Sequence, residues 1–172
     1  MIKTRPKILR RAVAAIIDYG LFFIFFAWVV YTFGMPNDEG GYTANGIETL
    51  VIPLVRLFYF PVVESINGQT LGKRIIGLKV VTKTGQEISF IESIKRRLLD
   101  FIDLLLYGIV AMIAVSNTPD HQRIGDLWAK TIVVGGEELD CQKCGETLHL
   151  SPDEVVKGTF ICPKCNSTNT IS

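Results

Sequence analysis

Four cysteines are the residues in this 172-residue chain whose spacing most directly implies chemistry. Cys141-x-x-Cys144 and Cys162-x-x-Cys165 each put two thiols on one tight turn, and seventeen residues separate the pairs. Two thiolates on such a knuckle can grip one ion, and a spacer of this length lets a hairpin bring two knuckles together. Zinc is the metal this spacing favours; iron in a rubredoxin-like site and disulfides are the alternatives. All four cysteines of the chain are used, so one zinc would have no open position and would be structural rather than catalytic. Gly145 and Pro163 suit the knuckle turns, and Thr147–Leu150 and Thr159–Cys162 read as strands. His149 lies between the knuckles but is surplus, an exposed or packing residue. The tail reads as a β-type zinc ribbon over 137–172, too small to fold without such a staple. Gly135-Gly136-Glu137-Glu138 marks its boundary with a first domain over 1–136.

A second set of residues carries charge inside apolar sequence. Arg11 and Asp18 are seven apart, hence roughly on one helical face. Arg56 stands in the middle of an apolar run, where a lone charge in lipid costs at least ~2.5–3.5 kcal/mol, so an acid partner is expected. Asp18, Asp100 and Asp103 are the acids within such runs. Asp100 and Asp103 are i, i+3 neighbours, Arg96 is i−4 to Asp100, and Glu64 sits where a run meets a basic loop. Such groups could form an ion or proton pathway, or an Arg56–Asp pair could simply fasten helices together. Gly68-Gln-Thr70-Leu-Gly72-Lys73-Arg74 lacks the spacing of a nucleotide-binding loop. It reads as a turn whose Lys73 and Arg74 lie at lipid headgroups.

The elements that must position these residues are three apolar blocks. Ala12–Phe33 is 22 residues, about 33 Å as a helix and enough to cross a ~30 Å hydrocarbon layer. Asp18 and the lack of a small-residue cleavage site argue against a signal peptide. Trp28 and Tyr31 suit an interfacial belt. Ile47–Val63 is a shorter span candidate interrupted by Pro53 and Pro61. Leu98–Ser116 has an uncharged stretch only over Leu104–Val115, and is either a third span or a re-entrant hairpin turning near Gly108. Apolar residues are 48% of the chain, and the formal net charge is +1. The charge is nevertheless segregated. Residues 1–11 carry five basic side chains and no acid, and 65–97 carry seven basic against two acidic. Basic segments flanking apolar runs are a membrane pattern, not the single basic face of a nucleic-acid binder. The positive-inside rule puts the N-terminus and the 65–97 loop in the cytoplasm. Leu71-Gly72-Lys73 leading to Val80-Val81 is echoed without gaps by Ile124-Gly125-Asp126 leading to Val133-Val134. Gly77–Thr82 and Lys130–Val134 read as strands, and short strands need a partner. Their pairing would keep both on one side and the ribbon cytoplasmic, where thiols stay reduced.

Three segments carry a family resemblance. They are Arg10-Arg11-Ala-Val-Ala-Ala-Ile-Ile-Asp18, Gly68-Gln-Thr70-Leu-Gly72-Lys73-Arg74-Ile-Ile-Gly77-Leu-Lys-Val80-Val81 and Gln122-Arg-Ile-Gly-Asp126-Leu-Trp-Ala-Lys-Thr131-Ile-Val-Val134. Over about residues 5–135 they resemble the RDD family of small membrane proteins, named for one arginine and two aspartates. Arg11, Asp18 and Asp126 are the matching positions. A histidine commonly precedes the last aspartate of that family, and here Gly125 stands there. A glycine often precedes the threonine of the final strand, and here Lys130 does. The resemblance implies a multi-pass cell-membrane protein, with transport suggested for some members.

The expected fold is an α-helical integral membrane domain of two spans plus a third span or hairpin, with a short cytoplasmic β element and a zinc ribbon. No nucleophile–base pair, cofactor motif or open metal site is visible, so a non-enzymatic role is expected. One reading is a membrane-anchored interaction or scaffold module acting through the ribbon, on a protein partner or a second copy, in the lipid bilayer and without nucleic acid. The alternative is transport of ions or small solutes, for example cation/proton exchange, along Asp18, Arg56, Asp100, Asp103 and Asp126.

Overall fold

The computed structural model describes residues 4–37, 40–43, 47–100 and 109–171. Asp103 and the turn expected near Gly108 lie outside these residues. Helix α1, Ile8–Phe33, covers the whole first block and is about 39 Å long. Only Ala14, Asp18 and Val29 are buried along it, and residues such as Ile16, Phe23, Ile24 and Trp28 are exposed. An apolar surface of that extent suits lipid rather than water. Among the described residues α1 is the one helix long and apolar enough to cross a membrane. After it, strands β1 (Met35–Pro36) and β2 (Tyr42–Thr43) pair antiparallel, and the second block forms α2, Ile47–Asn67, which continues through Pro53 and Pro61. It is 21 residues long, with Arg56 near its middle and Glu64 near its end. The described chain as a whole mixes helices with small two-stranded sheets and is not a plain helical membrane bundle.

The internal echo is a structural repeat. In the first copy, helix α3 (Leu71–Ile76) leads through Gly77 into strand β3 (Leu78–Thr82). In the second, the corresponding short helix Ile124–Ala129 leads through Lys130 into Thr131–Gly135. The two strands pair antiparallel, Val80 opposite Val133 and Val81 opposite Ile132. The glycine of each short helix lets it lie against a longer one. A Cβ at Gly72 would collide with the Ala14 carbonyl on α1, and one at Gly125 would sit 2.8 Å from the Arg96 carbonyl. The histidine common at this last position in the resembling family therefore has no room here.

The hinge residue of each copy is left-handed, with φ 69° at Gly77 and 56° at Lys130. Gly77 adopts this freely, but a residue with a Cβ is strained there by about 1–2 kcal/mol. Lys130→Gly should therefore raise stability by about 0.5–1 kcal/mol once the greater freedom of glycine in the unfolded chain is set against the relief. Thermal unfolding in detergent checks this, with Lys130→Ala as the control that should give no gain.

Between the repeats, α4 (Phe90–Leu98) starts at a capping box, in which Ser89 Oγ accepts from the Glu92 N–H and Glu92 accepts from the Ser89 N–H. Helix α5 (Ile109–Asn117) and helix α6 (Ile124–Ala129) precede strand β4 (Thr131–Gly135). Two antiparallel hairpins complete the chain. Strand β5 (Glu137–Asp140) pairs with β6 (Thr147–Leu150), and β7 (Thr159–Ile161) with β8 (Thr168–Thr170). The short helix α7, Pro152–Lys157, lies between them, with its own capping box of Ser151 and Glu154. The β3–β4 pair is covered on both faces. Leu78, Val80 and Val133 pack with Ala14 of α1 and with Ile88. Val81, Ile132 and Val134 pack with Leu150, Val155 and Phe160 of the tail. The tail therefore shares a core with the first 136 residues. Charges fasten the same seam: Lys7 Nζ donates to the Gly135 and Gly136 carbonyls at 2.8 Å, and Lys79 meets Asp153 at 2.7 Å.

Candidate functional site

The buried charges form a closed ring. Glu64 of α2 faces Arg97 of α4 at 3.6 Å, and Arg97 meets Asp100 at 3.0 Å. Asp100 meets Arg123 at 2.8 Å, and Arg123 meets Asp126 of α6 at 3.4 Å. Asp126 meets Arg96 at 2.9 Å, and Arg96 returns to Glu64 at 3.8 Å. Arg11 joins from α1, 3.8 Å from Asp126, and Lys73 of α3 pairs with Glu64. Ser93 Oγ adds a hydrogen bond to Glu64 at 3.0 Å. Five helices thus meet through alternating charges. Glu64, Arg96 and Asp126 are 1% exposed or less, so each charge has left water and depends on its neighbours.

The electrostatics follow from this packing. Burial works to raise the Asp126 carboxyl, but Arg96, Arg123 and Arg11 outweigh it and hold it below the ordinary carboxylate range. Burial pushes the Lys73 ammonium down to about 8, with Glu64 opposing the shift.

Asp18 does something different. It is buried on α1, and it accepts from Thr70 Oγ1 at 2.5 Å and from the Gly72 N–H at 2.7 Å. The Thr70 hydroxyl makes no local cap. Asp18 therefore supplies, from another helix, the acceptor that an N-terminus needs. Gly68 is fixed by its carbonyl, which accepts from Val80 at 2.7 Å. Gln122 Nε2 donates to the Thr131 carbonyl at 2.6 Å and holds the second repeat in the same region.

Several expectations need correction or refinement. Arg56 finds no acid partner among the described residues. Its guanidinium lies 5.4 Å from the centroid of the Tyr19 ring. The reason is distance: Glu64 is eight residues further along α2, about 12 Å, and the described acids cluster at that end. Lys73 pairs with Glu64, so its role is structural and not headgroup binding alone, whereas Arg74 is exposed. Arg11 and Asp18 share a face as expected but hold different partners. The sequence reading missed Arg97 and Arg123 altogether and gave Arg96 only to Asp100. The readable signal was the spacing Ser93, Arg96, Arg97, Asp100, one polar face of α4.

The four cysteines converge. Their Sγ atoms all lie within 4.8 Å of one another, with Cys141–Cys165 and Cys144–Cys162 both at 3.6 Å. A tetrahedral zinc with Zn–S near 2.3 Å requires S···S edges of about 3.8 Å, so the cluster is consistent with a zinc site. The two knuckles are copies: the Gly145 N–H reaches the Cys141 carbonyl, and the Asn166 N–H the Cys162 carbonyl, both at 2.9 Å. Gly145 and Asn166 are both left-handed at these positions. Ser167 Oγ lies 2.9 Å from Cys165 Sγ and 3.4 Å from Cys141 Sγ, placed to donate to bound thiolates. His149 is exposed beside Glu138 and outside this set. Strand β6 falls on Thr147–Leu150 as expected; β5, α7 and β8 went unread.

Compared with known proteins, the model of the RDD family matches residues 5–130. No curated protein and no solved structure matches the chain.

Proposed function

Since the chain belongs to the RDD family of membrane proteins, we propose that it is a membrane anchor that holds a zinc-bound ribbon at the cytoplasmic surface as a docking module for a protein partner. The observation that carries this reading is the shared core. Val81, Ile132 and Val134 of the β3–β4 pair are sealed by Leu150, Val155 and Phe160, so the ribbon is fixed and not tethered. A fixed module presents one surface at one height above the bilayer, which suits docking and adds nothing obvious to passage of a solute. Two paired strands must lie on the same side of a bilayer. Together with the basic N-terminus, that supports a cytoplasmic ribbon and a chain that returns after α1. The reducing compartment supports thiolates, hence zinc as a structural ion. The role is non-enzymatic, with no nucleic acid involved.

Transport by cation/proton exchange has less support. A carrier acid must release and rebind its ion, yet Asp18, Glu64, Asp100 and Asp126 each hold partners in the ring or in the cap on α3.

The test is site-specific photo-crosslinking in native membranes from ribbon positions such as Lys143 and Ile161. The expected result is one discrete adduct, lost in Cys144→Ser, whose partner then binds the purified full-length protein. An adduct of twice the chain mass would make the partner a second copy. Absence of any adduct from the ribbon face sinks the docking role.

A further inference from the structure

The charge ring does not use all of its donors. Arg11 Nε and Nη2, Arg96 Nε and Arg97 Nε are buried and make no hydrogen bond to any described residue. Arg96 is 1% exposed. A buried donor without an acceptor costs about 1–3 kcal/mol, more on a charged group. Four such atoms on three neighbouring guanidiniums are a large unmet demand. All three arginines line one cavity of about 350 Å³, between the N-terminal half of α1 and helices α4, α5 and α6. Lys73 lines it as well. Asp18, Asp100 and Asp126 also border the cavity, but their charges are already met by the ring and by the cap on α3.

From these unmet donors we infer that the cavity binds a tetrahedral phosphate group. Guanidinium groups present paired N–H forks that match two oxygens of a phosphate, and three arginines around one space supply several forks. A halide can accept several N–H donors but offers them a single centre, whereas a phosphate presents separate oxygens to separate forks. A carboxylate presents two oxygens in one plane, fewer directions than three guanidiniums around one space offer. The opposite wall is apolar, made by Ala12, Ala15, Met112 and Val115. Met112 is itself 53% exposed, so the wall continues onto the outer apolar surface of α5, beside that of α1. That geometry admits a phosphate carrying acyl chains as well as a free one. The inference is independent of the docking role of the ribbon.

The experiment uses the full-length protein with its metal bound. Thermal unfolding and direct binding are measured in neutral detergent with added inorganic phosphate. They are repeated in bilayers of phosphatidylcholine with and without phosphatidylglycerol. Two variants accompany the wild type. Arg11→Lys keeps a charge opposite Asp126 but deletes the two unmet donors. Ala15→Phe fills the apolar wall without touching a charge. Binding to the wild type, weakened at least about tenfold in either variant that folds, supports the site. A response to inorganic phosphate identifies a soluble ligand, and a response only to phosphatidylglycerol identifies a lipid. No binding of either probe by the wild type overturns the inference, as does binding that Arg11→Lys or Ala15→Phe leaves unchanged.

Discussion

Asp126→Asn should destabilise the folded protein by about 3–5 kcal/mol, far more than loss of an ordinary surface acid. The substitution keeps the shape and removes the charge. Arg96, Arg123 and Arg11 would then stay buried around a neutral amide, with the 2.9 Å contact of Arg96 reduced to a weaker hydrogen bond at best. Breaking one side of a buried pair is costly because the other side is left uncompensated, whatever the intact pair contributes. Unfolding in mild detergent, followed by tryptophan fluorescence, measures the loss. Asp153→Asn provides the contrast. It removes a shorter contact, 2.7 Å to Lys79, but Asp153 is exposed and the expected change is about 0–1 kcal/mol. Equal effects at the two sites would mean that the ring is not buried as described. The Asp126 contribution also has a pH signature. Its carboxyl is held below the ordinary range in the folded state, so the stabilisation is complete above about pH 4. It is lost as the pH falls through the depressed folded value.

Removing the metal should unfold the ribbon and loosen the sheet beneath it. Structural zinc contributes about 10–16 kcal/mol of apparent binding energy in small sites, more than a module of this size holds in its own core. Without the ion, β5–β6 and β7–β8 lose the atom that joins their knuckles. Leu150, Val155 and Phe160 then lift away from Val81, Ile132 and Val134. A strong chelator, or Cys162→Ser, should therefore expose the chain to proteolysis near Gly136 and lower the thermal stability of the remainder. Metal analysis of the purified protein should find one zinc per chain, lost with the same treatment. A ribbon that stays protease-resistant when metal-free would show that the ion does not hold it.

The sequence was informative where chemistry is local. Two Cys-x-x-Cys turns declare a metal site because both ligands sit in one knuckle, and the repeated Leu/Ile-Gly motif declares paired strands because each copy carries its own helix, hinge and strand. It was uninformative where partners come from distant segments. Arg96 and Arg97 stand in a stretch that reads as a basic cytoplasmic loop, and nothing nearby says that Glu64 and Asp126 will enclose them. Arg56 is a different case. The cost of a charge in lipid demanded a partner, and among the described residues it is the Tyr19 ring that faces it. Asp18 was read as a membrane charge, yet its use is to cap a helix 54 residues away, a bond that no local pattern encodes. The sharing of a core between tail and membrane part was also hidden, since Val81 and Val134 fit a strand pair alone equally well.

The fully covered strand β4 has a dynamic consequence. It is joined at one end to Asp126 through α6, and it is sealed on one face by the ribbon and on the other by α1. The ribbon therefore cannot tumble as a small appendage. Its amides should relax with the slow rotation of the whole micelle-bound particle, and a torque applied to the ribbon would reach the charge ring through a single short strand.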